Sequence, residues 1–115
     1  MEADLQSLLL GVCPRVFPDI ADELPPRPYV TWTGIGGQTL RNLDNTTGDK
    51  RNSLTQINVW CDSRVEALTL IRQIEDAMCA STAFLAVPQG EPLSMFEEDD
   101  DLYGCLQRYS IWASR

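Results

Sequence analysis

"LTQINVWCDS", residues 54–63, is the stretch on which the reading of the fold turns. Thr55, Ile57, Val59 and Cys61 fall on one side of a period-2 alternation, which marks a β-strand with a core face. The other side carries Leu54, Gln56, Asn58 and Trp60, a set too apolar for plain solvent and too polar for a second core. Asp62 and Ser63 end the strand and open a helix. "SRVE", 63–66, is a capping box, in which the Ser63 hydroxyl accepts from the Glu66 amide and the Glu66 carboxylate reaches back to the Ser63 amide.

From that cap the periodicity changes to that of a helix running to about residue 80. Ala67, Leu68, Ile71, Ile74 and Met78 form its expected buried stripe, and Glu66, Thr69, Arg72, Gln73 and Asp76 its wet side. A first helix is expected over 2–11, with Leu5, Leu8, Leu9 and Val12 on one face, Gly11 as C-cap and Pro14 beyond. "RVFP" (15–18) and "YVTWTGI" (29–35) are extended, separated by a segment where Pro25, Pro26 and Pro28 exclude helix. "AFLAVP" (83–88) is a short strand, "QGEP" a turn, and "LYGCLQRYSIWA" (102–113) a long final strand. This order gives an α+β fold: a mostly antiparallel sheet of four to five strands with two helices packed on one face. The 115 residues make one domain, 1–115, with no internal repeat.

Residues 36–52, "GGQTLRNLDNTTGDKRN", break the pattern and read as a long, mobile loop. The loop carries Arg41, Lys50 and Arg51, and two apolar residues, Leu40 and Leu43, with no evident core to enter. The acidic start "MEADLQSLLLGV" reads as a structural helix rather than a signal peptide. No apolar run is long enough for a membrane helix.

The formal charge is −8, with 17 acidic against 9 basic residues, so no basic stripe is available to displace counterions from nucleic acid. An acidic wall would instead repel phosphate and let DNA slide past. The chain contains no histidine, which excludes Ser-His-Asp and Cys-His nucleophilic chemistry. Cys13, Cys61, Cys79 and Cys105 are too scattered for a zinc site and read as free thiols used as small apolar residues.

Other motifs have bland readings. The acidic run 97–101 lacks the spacing of an EF-hand and reads as a solvated loop; a two-metal nuclease drawing on it with Asp62 and Asp76 is not required by any spacing. "GIGG" (34–37) has no following Lys-Ser/Thr and no helix, so it reads as a bend. Trp32, Trp60 and Trp112 each stand beside polar neighbours on a strand. They are either rim residues of the sheet or parts of an aromatic and polar face that docks on another chain. No catalytic, metal or cofactor residue is expected. Trp60, Leu54, Leu40, Arg41, Leu43, Lys50 and Arg51 are the candidate interface.

"RVFP", the Pro-rich gap, "PYVTW", "TLRNLD", "TQINVWCDS" and "LYGCLQRYSIW" together resemble a family of small tailed-phage proteins. That family was first catalogued as a domain of unknown function and is associated with tail completion, tail termination and head-to-tail joining. The resemblance runs along nearly the whole chain. It implies an α+β structural protein of the virion, present in the host cytoplasm before assembly, without enzymatic activity or cofactor. It implies a ring of identical subunits, a hexamer, that caps the tail tube. Its partners would be the tail-tube protein and a head-completion protein of the neck, with DNA passing through unread and no membrane involved. The alternative of another class is a small dimeric regulatory module that binds a ligand between sheets.

Overall fold

The computed structural model describes residues 2–19, 27–36, 50–97 and 102–114. Two helices, α1 (Glu2–Val12) and α2 (Arg64–Ala80), accompany six strands: β1 (Val16–Pro18), β2 (Tyr29–Gly34), β3 (Lys50–Cys61), β4 (Leu85–Pro88), β5 (Leu93–Glu97) and β6 (Leu102–Ser114). The sheet order is β1-β2-β3-β6-β4, with β5 also paired to β6. Only β1 and β2 are parallel; the other pairs are antiparallel. The α+β class expected from the sequence is what the chain adopts, with one strand more than the four to five anticipated.

The added strand is β5. It continues the direction of β4 along the same edge of β6, so "QGEP" is not a reversing turn. Pro88 pairs with Tyr109 and Leu93 with Leu106, which sets residues 89–92 against residues 107–108 alone. The surplus is a bulge in the edge strand. Gly90 has φ of 107°, a conformation that glycine adopts without strain.

The β3–β6 ladder runs from Lys50↔Ser114 to Cys61↔Tyr103. It begins inside the stretch read from sequence as loop, so residues 50–52 are strand. The rest of that loop, including Leu40, Arg41 and Leu43, lies outside the described residues. Gly11, expected as a C-cap, sits inside the last turn of α1, which ends at Val12.

One core forms on the helix side of the sheet. Leu5 and Leu9 of α1, Ala67, Leu70, Ile71, Ile74 and Met78 of α2, and Ile57, Val59 and Cys61 of β3 are all buried in it. The stripe of α2 differs by one residue from expectation: Leu70 is buried and Leu68 only packs against the margin. The Ser63 half of the capping box forms, its Oγ accepting from the Glu66 amide at 3.2 Å.

Trp32 is neither a rim residue nor part of an aromatic docking face. It pairs with Ile57 across the ladder, points into the core and is 8 % exposed. Its indole needs a polar partner there. The Nε1–H donates to Gln6 Oε1 on α1 at 2.6 Å, and Gln6 Nε2 donates to the Val16 carbonyl at 3.1 Å. One glutamine thus ties α1 to two strands.

A second glutamine organises the other half. Gln107 on β6 is buried on the core side. Its Nε2 donates to Gly90 O at 2.9 Å and to Glu75 Oε1 at 3.0 Å, and its Oε1 accepts from the Tyr109 hydroxyl at 2.8 Å. The side chain fills the gap that the bulge leaves and ties it to α2. Among the described residues no buried side-chain polar atom lacks a partner. Gln107→Leu should therefore cost about 1–3 kcal/mol, because the Tyr109 hydroxyl is stranded. Urea melts check this; a midpoint equal to that of the parent contradicts it.

All four cysteines are free thiols, with Cys79 exposed and the other three buried. Burial, reinforced by Glu66 and the neighbouring thiols, pushes Cys61 up from the ordinary 9.0 to about 11. Burial also raises the Tyr109 hydroxyl. Both shifts favour the protonated forms in the fold. Their contribution is complete below the ordinary thiol pKa and is lost as pH climbs through the folded value. The urea midpoint should fall from about pH 9 upward, and native maleimide labelling should be rapid only at Cys79. A midpoint flat through about pH 11, or equal labelling of Cys61, contradicts this.

Candidate interaction face

The face of the sheet opposite the helices is built by the same alternation that builds the core. Leu54, Gln56, Asn58 and Trp60 of β3 lie on it, opposite Ser110, Arg108, Leu106 and Gly104 of β6. All four of the β3 residues are half-buried. Tyr29 and Thr31 of β2 and Leu102 of β6, on the same face, are buried.

Trp60 has a cover within its own chain. A Cβ placed on Gly104 would come within 2.8 Å of Trp60 Cε3 and of the Val59 carbonyl, so the indole lies directly across the glycine backbone. At this end Tyr29 pairs with Trp60, and the Phe17 ring meets Tyr29 edge-on with centroids 6.4 Å apart. Leu54 sits six residues away, roughly 20 Å along an extended strand. It shares its end of the face with Trp112, Leu85 and Val87.

A polar row separates the two apolar ends. Arg108 Nε donates to Gln56 Oε1 at 3.1 Å, Gln56 Nε2 to Asn58 Oδ1 at 3.0 Å, and Asn58 Nδ2 to Thr31 Oγ1 at 3.3 Å. The row crosses three strands and points every donor the same way. Sequence reasoning found Gln56 and Asn58 but not their bonds to Arg108 and Thr31, because those links need the cross-strand register. Of the other candidates, Lys50 and Arg51 open β3, and nothing further is described of their side chains.

Among the described residues no group of three or more His, Cys, Asp or Glu is placed to hold a metal ion. Two concavities lie away from the centre of the face. One, of about 400 Å³, is floored by Cys61 between Pro28 and α2, with Val65 and Leu70 on its wall. The other, of about 650 Å³, opens beside Phe84, Leu85 and Trp112. No described helix is long and apolar enough to cross a membrane.

A comparison with family models matches the "Tail completion protein gp17" family over residues 2–114. The chain belongs to this family. Membership makes it a structural component of the phage tail, associated with other tail components. No curated protein matches the chain. The match spans α1 through β6, so both the core and the open face are parts of the tail-completion domain.

The two sides of β3 should respond differently to truncation. Ile57→Ala opens a cavity in the core and should cost about 2–5 kcal/mol in urea melts. Trp60→Ala exposes Gly104 and should cost less. Equal losses would place Trp60 among the residues on which folding depends.

Proposed function

We propose that this tail-completion protein closes the head-proximal end of the phage tail as a ring of identical subunits, a hexamer, and presents that end to the neck. The observation that carries this reading is the face opposite the helices: a hydrogen-bonded polar row lies between two apolar ends, with Trp60 and Leu54 only half-buried. Trp60 at one end and Leu54 at the other are suited to subunit or tail-tube contacts, since half-buried aromatics make strong interface anchors. The polar row fixes register, as directional hydrogen bonds do where apolar contact alone would slide.

The net charge of −8 suits a channel wall past which DNA moves without being read, because fixed carboxylates repel phosphate. Family membership favours this structural reading over a dimeric ligand-binding module. The test is complementation. Tails assembled without this protein should join to heads when the purified chain is added. Trp60→Ala and Leu54→Asp should each reduce joining at least about tenfold while the far-UV spectrum is kept, the loss expected of an interface anchor. Full joining by both folded variants would remove the open face from the assembly contact, and a complex other than a ring on electron micrographs of completed tails would overturn the ring.

A further inference from the structure

The outer edge of the sheet carries a second surface. Four of the exposed large hydrophobic residues, Leu85, Val87, Leu93 and Phe96, lie on β4 and β5. No described strand pairs with the far side of these two. The Gln89 amide donates to the Arg108 carbonyl, so the antiparallel alternation turns the backbone groups of Ala86, Ser94 and Phe96 away from β6. Such an edge is a template for another strand unless it is blunted.

The opposite edge is blunted. β1 has three residues, Pro18 lacks an N–H, and the Val16 carbonyl already accepts from Gln6. The β4–β5 edge has charge instead, and of one sign. From residue 73 to 107 the sequence holds eight acidic residues and no lysine or arginine. Glu91 stands exposed between the two strands, and Glu97 is the last residue of β5. Self-pairing of two such edges would bring like charges together. A cationic strand would meet complementary charge and apolar contact at once.

We propose that the β4–β5 edge receives an extended, cationic segment of another protein by strand addition. Backbone hydrogen bonds would hold the segment, its apolar residues would lie against Leu85, Val87 and Leu93, and its cations would face Glu91. The proposal rests on the edge alone and does not require the ring.

The test uses the intact chain and an end-capped peptide of about ten residues alternating lysine and valine, long enough to span the edge. Amide shifts on titration should map to residues 85–97, and exchange there should slow. Glutamate in place of lysine, or N-methylation of the peptide backbone, should each weaken binding at least about tenfold. Val87→Lys and Leu93→Lys should do the same while the remaining amide spectrum is unchanged. Binding that maps to the Leu54–Trp60 face, or that tolerates glutamate or N-methylation, overturns the proposal. So does absence of binding. Protection of residues 85–97 that grows with protein concentration without peptide would show a second copy as the occupant and overturn it equally.

Discussion

The register of the β3–β6 ladder is the constraint on which the structure depends. These are the two longest strands, and they pair from Lys50↔Ser114 to Cys61↔Tyr103. Side chains alternate along each strand, so this one register assigns every central residue to the core or to the open face. A slip by one position would bury Gln56 and Asn58 under α2 and expose Ile57 and Val59. Gly104 helps to fix the alignment, since only a residue without a Cβ fits beneath the Trp60 indole and beside the Val59 carbonyl. Gln107 adds a polar lock, because it reaches Glu75, Gly90 and Tyr109 together only from its observed place.

Much of this was legible in the sequence because it rests on local pattern. The alternation of 55–61, the Ser63 cap and the apolar stripe of α2 each report on a few neighbouring residues; the first two formed as read, and the stripe did so but for Leu70 in place of Leu68. What the sequence hid depends on residues far apart. Trp32 and Val30 share a face, but which face follows only from pairing with β3 and from Gln6, 26 residues earlier, which satisfies the indole. β5 has Leu93, Met95 and Phe96 yet no clean alternation, because an edge strand with both sides partly wet places little demand on either. Of the candidates, Leu54 and Trp60 lie on the same face of β3. Their separation by a hydrogen-bonded row could not be read without the register.

Within a tail-completion protein, this division of the face has a mechanical meaning. Apolar patches adhere but do not orient, whereas amides and a guanidinium held in one direction accept only a matching partner. Linking Gln56, Asn58, Thr31 and Arg108 also restrains side chains that would otherwise lose rotamer freedom on contact, which lowers the entropic cost of docking. The acidic edge and the polar-centred face lie on the same sheet but offer different chemistry. The domain can thus present two distinct contacts without enlarging its core.

The tryptophans record the sidedness of this sheet. Trp32 is enclosed by the core and tied to α1, while Trp60 and Trp112 are half-buried on the opposite face. An indole in an apolar enclosure emits at shorter wavelength and is shielded from dissolved quenchers; a partly wetted one is not. Trp32 emission therefore follows the docking of α1 on the sheet, and the accessible emission of the other two follows whatever comes to cover the open face. The chain thus carries separate optical readouts for the two faces of its sheet, without an added label.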